Sequence, residues 1–282
     1  MFSEVLRVLG FLAAFWPWNA PETLEIHRNL TYKVVEGQEL QLDLLLPAEA
    51  AAPRPVVLII HGGSWIWGNK NSYPALKRYL VQEGFACAAV EYGQWLDRGF
   101  YGQVQDIKDA IRWLRANAAT YALDPEMIGL FGSSSGGHLA ALAAFCGDSE
   151  GFGADPPGLS SKAQAVFLLY GVYDLDGLLT NALVERLAGG FAPEDVPELY
   201  QFFSPLDHID GTEPPTYVMH GTADRVVPFS QAEELVETLR AAGVPVIFTR
   251  IWDGPHAFAR VAPSTRPITF DTIVYFFESQ LK

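Results

Sequence analysis

Cysteine is scarce in this chain, with two in 282 residues. Cys87 falls in an apolar strand-like run and Cys146 in a helix-like one. Neither has the spacing of metal ligands, so both read as buried thiols rather than as a disulfide or a metal site. Positive charge is scarce as well. The 19 Lys and Arg stand against 33 Asp and Glu, for a formal net charge of −14. Such a surface repels phosphate backbones and anionic headgroups, which argues against a nucleic-acid partner and favours neutral substrates. Long apolar runs are missing too: the run at 2–18 falls short of the ~20 residues of a bilayer span. No repeat or low-complexity segment interrupts the chain beyond a short alanine and proline stretch at 48–55.

What is present describes a densely cored globular protein. Hydrophobic residues make up 49% of the chain and charged ones only 18%, and the length suits one large α/β domain. Residues 2–18, FSEVLRVLGFLAAFWPW, carry only Glu4 and Arg7 as charges. On a helix Phe2, Leu6, Leu9, Ala13 and Trp16 share one face, so residues 1–19 are expected to form a docked amphipathic helix acting as lid, interface or anchor. A signal anchor competes with this, although Glu4 cancels Arg7 and Trp18 stands where a cleavage site wants a small residue. The expected location is cytoplasmic, with export or membrane association through this segment as the alternative. Membrane contact through 2–18 and a homo-oligomer both stay open.

From residue 20 onward the apolar pattern alternates between short runs and helical spacings. Residues 31–35 and 40–47 read as a hairpin, and 55–60 as a strand buried on both faces that ends in a loop. Helical spacing at 73–83 and 106–116 alternates with strand-like runs at 85–90 and 165–170, and again with strands at 216–219 and 244–252 and helices at 231–242 and 268–281. This order predicts a mostly parallel sheet with helices on both faces. Residues 174–209 are a mixed insertion expected to roof the site as a small cap.

The chemistry gathers around residues 127–144, MIGLFGSSSGGHLAALAA. Here an apolar strand turns through Gly132-Ser133-Ser134-Ser135-Gly136 into a helix. This G-x-S-x-G turn lifts one hydroxyl off the sheet edge, and only Ser134 has glycine at both two-residue flanks. By chance a chain of this composition holds about 0.1 such matches, so partners are needed. A serine hydroxyl is a poor nucleophile until a base takes its proton, and the base needs an orienting carboxylate. With this turn the acid and then the base follow in chain order. Among six histidines, His27 and His61 precede Ser134, His138 shares its helix, His208 lies in the insertion, and His220 closes an apolar strand. His256, in a turn-rich loop after a strand, is the expected base. Asp224, after the preceding strand, is the expected acid, with Asp253 as the rival in the histidine's own loop. His61-Gly62-Gly63-Ser64-Trp65 follows the first buried strand. Its small residues suit it to present backbone N–H groups to an oxyanion, with Gly63, Ser64 and the amide of Ser135 as expected donors.

Taken together, HGGSW at 61–65, the elbow, PPTYVMHGTADRVVP at 214–228 and PHAF at 255–258 resemble the α/β-hydrolase superfamily over residues 20–282. Within it the chain is similar to esterases with an HGGxW loop, of the hormone-sensitive-lipase-like and bifunctional feruloyl and acetyl-xylan esterase groups. The resemblance implies an eight-stranded, largely parallel sheet and carboxylic-ester hydrolysis without metal or organic cofactor. Three positions depart from the pattern: Ser135 stands where alanine is frequent, Ser64 replaces a third glycine, and Glu91-Tyr92-Gly93 stands where Asp-Tyr-Arg is common.

The expected function is therefore a serine carboxylesterase acting on small short-chain or aryl esters. Trp65 is expected to wall the substrate pocket, and Trp67, Trp95 and Tyr101 are aromatic neighbours that would serve the same purpose. Amide hydrolysis of the arylformamidase type is the enzymatic alternative. A ligand-binding protein on a hydrolase fold is the non-enzymatic one, disfavoured because nucleophile, acid and base candidates all stand.

Overall fold

The first two strands fold back on each other because residues 36 and 37 accept left-handed backbone, with φ of 49° at Glu36 and 81° at Gly37. Such a two-residue turn matches the twist of a hairpin. In the computed structural model, which describes residues 24–48, 53–148, 152, 158–176, 194–258 and 267–282, these strands are β1 (Leu24–Val35) and β2 (Gln38–Pro47). The helix expected at 1–19 and residues 177–193 of the expected cap lie outside the described residues. β1 begins seven residues before the expected 31. Register shifts between His27 and Leu30 and between Thr31 and Lys33 interrupt its alternation, so the drift towards period two that opens at 24 becomes a clean run only from 31.

The remaining elements alternate: β3 (Arg54–Ile60), α1 (Pro74–Gln82), β4 (Ala86–Val90), α2 (Trp95–Ala116), β5 (Leu123–Ser133) and α3 (Ser135–Phe145). Then follow β6 (Ala165–Leu169), β7 (Thr216–Gly221), α4 (Ser230–Ala241), β8 (Val246–Ile251) and α5 (Pro267–Leu281). The eight strands form one sheet in the order β1-β2-β4-β3-β5-β6-β7-β8. β1 and β2 pair antiparallel, as do β2 and β4, and every pairing from β4 to β8 is parallel.

Two cores flank the sheet, and period two divides the strands between them. Val56, Leu58 and Ile60 of β3 join α2, α3 and α4 on one face, while Val57 and Ile59 join α1 and α5 on the other. A strand buried on both sides has no polar face, hence the unbroken apolar run in the sequence. Cys87 and Cys146 are buried on opposite faces of the sheet, so they form no disulfide with each other. α2 starts eleven residues before the spacing at 106–116 suggests, because Gly99 (φ 57°) kinks it and hides its first turns. The parallel strands all end on one edge, so the loops after β3, β5, β7 and β8 converge there.

Candidate active site

Ser134 sits at the turn from β5 into α3 with φ 53° and ψ −125°, a conformation that costs a non-glycine residue of order 1–3 kcal/mol. Its neighbours hold it there. Ser134 N–H donates to Leu169 O at 2.9 Å, and Ser134 O accepts from His138 N–H at 3.1 Å. The flanking glycines are needed for close approach. A Cβ on Gly132 would lie 2.2 Å from Gly136 O, and one on Gly136 would lie 2.3 Å from Ile60 O and 2.4 Å from His61 O.

The three consecutive serines differ in what they face. Ser133 and Ser135 are buried, whereas Ser134 keeps partial exposure. Ser133 Oγ accepts from Tyr73 Oη at 2.6 Å, so its hydroxyl is engaged behind the turn. Ser134 Oγ instead lies 3.0 Å from His256 Nε2. His256 Nδ1 donates to Asp224 Oδ2 at 2.7 Å. The structure thus brings the three expected residues into one hydrogen-bonded chain across the ends of β5, β7 and β8.

Backbone lacing sets that geometry. Thr222 N–H donates to Ile251 O at 2.9 Å and Ala223 N–H to Gly254 O at 3.1 Å, tying the loop after β7 to the loop after β8. Gly221 permits this, since its Cβ would lie 2.1 Å from Gly254 O. Asp253, the rival acid, is exposed at φ 52° and donates its N–H to Thr222 Oγ1 at 2.9 Å, so it shapes the turn that delivers His256. Tyr170 packs its ring edgewise on His256, with centroids 4.8 Å apart.

The Asp224 side chain is wholly buried. Burial alone would raise its pKa, but hydrogen bonds from His220, His256 and the Val227 backbone outweigh it and hold the carboxyl well below the usual range. It therefore stands ionised beside the imidazole.

The loop after β3 runs against the nucleophile. A Cβ on Gly62 would lie 2.7 Å from Ser133 O and 3.1 Å from Ser134 Cβ. Gly63 (φ 139°), Ser64 (φ 55°) and Trp65 (φ 62°) all adopt left-handed backbone, closed by Trp67 N–H donating to Gly63 O at 2.8 Å. Among the described residues no protein acceptor takes the N–H of Gly63, Ser64 or Ser135. Ser135, at the first position of α3, has no intrahelical partner for its amide.

Trp65 departs from the expected pocket wall. It is only 4% exposed, and its Nε1 donates to His138 Nδ1 at 3.0 Å. Its indole is an internal anchor for the loop, because Phe100 and His138 pack edgewise on it and Phe203 backs Phe100. Trp67 and Tyr101 are exposed instead. Two histidines set aside in the sequence matter here. His138 ties the loop to α3, and His220 Nε2 stands 3.2 Å from Asp224 Oδ2. The HGTAD spacing was the only available signal for the latter.

No group of three His, Cys, Asp or Glu among the described residues could hold a metal ion. No helix among them is long and apolar enough to cross a membrane.

The chain is similar to known proteins in both sequence and fold. The BD-FAE family model matches residues 42–239. Esterase LipQ of Mycobacterium tuberculosis is 31% identical over 276 residues, covering 91% of this chain and 63% of that protein. The chain spans less than two thirds of the length of the curated relatives it matches first. A truncated carbohydrate esterase from gut microbiota superposes with a TM-score of 0.79 at 26% identity, over 94% of this chain and 98% of that one. A thermophilic esterase of the Planctomycetes species Thermogutta terrifontis, solved with propionate bound, gives 0.77 at 28% identity, over 94% and 97%. The sheet and its helices are those of the α/β-hydrolase fold.

Proposed function

The chain belongs to the BD-FAE family, and we propose that it is a serine carboxylesterase that cleaves short-chain or aryl esters through an acyl-enzyme. The observation that carries this is the hydrogen-bonded chain from Ser134 through His256 to Asp224. Ser134 Oγ attacks the ester carbonyl while His256 Nε2 takes its proton, and the ionised Asp224 fixes the imidazole tautomer through Nδ1 and stabilises the imidazolium. The N–H groups of Gly63, Ser64 and Ser135 receive the oxyanion, each such donor being worth ~3 kcal/mol in the transition state. His256 then returns the proton to the leaving alcohol. Water, deprotonated by the same Nε2, releases the acid and restores Ser134. No step calls for a metal or an organic cofactor.

Small acyl groups are favoured by the likeness to an esterase that holds propionate. Hydrolysis of a p-nitrophenyl ester series from acetate to decanoate, beside N-formylkynurenine as an amide, tests the proposal. Turnover highest on the short esters and absent on the formamide supports it. Formamide turnover exceeding that of every ester overturns it.

A further inference from the structure

The acid of the site carries a second histidine. His220, at the end of β7, is fully buried, with Nε2 3.2 Å from Asp224 Oδ2 and 3.1 Å from Val227 O. Both neighbours are acceptors, so Nε2 bears a proton that lies between them. The other ring nitrogen, Nδ1, is buried with no partner. A proton there would be an unsatisfied buried donor, so the ring is held in the tautomer that faces the carboxylate.

The remaining acceptor sites of Asp224 are equally committed. Oδ1 accepts from Val226 N–H at 2.8 Å and Val227 N–H at 3.0 Å, while Oδ2 takes His256 Nδ1–H at 2.7 Å. His220 thus approaches the very oxygen that orients the base. Phe229 closes the ring's surroundings edgewise at 5.9 Å.

We propose that His220 is a positioning residue for the acid. Its Nε2–H holds Oδ2 in line with His256 Nδ1 and draws on the carboxylate's charge, setting how firmly Asp224 orients the base. His220 itself neither gains nor loses a proton in the reaction. The inference rests on the triad reading above. A merely structural His220 would tie the strand end to Val227 O and nothing more.

Glutamine and asparagine separate the two roles, because the amide nitrogen of glutamine reaches the place of Nε2 and that of asparagine does not. In the full chain, His220→Asn is expected to lower kcat on p-nitrophenyl acetate about tenfold with KM within about twofold, as for loss of one hydrogen bond to a charged group. His220→Gln is expected to recover most of it. The downfield proton signal of His256 Nδ1–H should move in His220→Asn and return in His220→Gln. Wild-type kcat with an unmoved signal in His220→Asn overturns the inference, whatever the thermal midpoint does, and so does equal impairment of both variants. Should His220→Asn not fold, the ring 15N shifts of His220 in the wild type decide. A protonated Nε2 whose signal moves in Asp224→Asn supports the inference, and a protonated Nδ1 overturns it. A wild-type chain that hydrolyses no ester sinks the triad reading itself, whereas an active wild type with unmoved variants sinks only this one.

Discussion

Trp65 Nε1 donates to His138 Nδ1 at 3.0 Å, and His138 Nε2 in turn donates to Phe203 O at 2.8 Å. One imidazole therefore joins the loop after β3, the helix that follows Ser134, and the later part of the 174–209 insertion. Two non-glycine residues of that loop, Ser64 and Trp65, hold left-handed backbone. Such strain persists only where surrounding contacts over-determine it.

His138 gives the fold a pH dependence. Burial lowers its pKa from 6.5 to about 4. The unfolded chain therefore binds this proton first as pH falls, and the native state loses stability between about pH 6.5 and 4. The full difference is roughly 3 kcal/mol, since each unit is worth 1.36 kcal/mol. Urea midpoints of the wild type should fall through this window more steeply than those of His138→Asn. Parallel slopes would contradict the assignment.

Close approach of backbone should make Gly136 intolerant of any side chain. Its Cβ would press on two carbonyl oxygens, Ile60 O and His61 O, and neither belongs to a flexible side chain. Gly136→Ala is expected to cost about 1–3 kcal/mol, the usual range for overpacking, and to displace the loop bearing Gly63 and Ser64. Calorimetry and ester turnover should fall together; a variant with wild-type melting and activity would show that the approach is looser than described.

Gly93 stands where the resemblance to HGGxW esterases implies arginine, and Arg98 occupies the space beside it. Arg98 binds the buried Asp106 through Nη2 at 2.7 Å and Nε at 3.2 Å, and a Cβ on Gly93 would lie 2.3 Å from Arg98 Cγ. Lys33 Nζ shares Asp106 at 3.0 Å. Gly93→Arg alone should destabilise by clash, by about 1–3 kcal/mol, and Arg98→Ala alone by leaving Asp106 underpaired, by up to about 3–5 kcal/mol. The double variant should regain part of the loss, and a thermal-melt cycle without such coupling would sink the exchange.

Much of this could be read from the chain before any coordinate. The buried strands are apolar runs because both faces are covered, and the elbow is marked by glycines that backbone crowding requires. What escaped has local physical causes. The first half of α2 is hidden by Gly99 and by Arg98, whose charge looks solvated until Asp106 is placed beside it. Trp65 suggests a pocket wall by its position after two glycines, but its burial depends on Phe100 and His138, 35 and 73 residues away. His220 ends an apolar strand, and a histidine there looks alike whether it caps the strand or faces a carboxylate four residues on.

Removal of the reacting groups should show them acting as a unit. Ser134→Ala and His256→Ala are each expected to lower kcat by about a million-fold and Asp224→Asn by about 10⁴-fold, with little further loss when combined. KM should change far less than kcat. Independent, multiplying losses on ester hydrolysis would contradict a shared mechanism.

The most direct measurement is covalent labelling by a fluorophosphonate, mapped by mass spectrometry. The account predicts one adduct per chain on Ser134 Oγ, absent in Ser134→Ala and strongly slowed in His256→Ala, with ester hydrolysis lost in step. An adduct on Ser133 or Ser135, or esterase activity that survives Ser134→Ala, would contradict it.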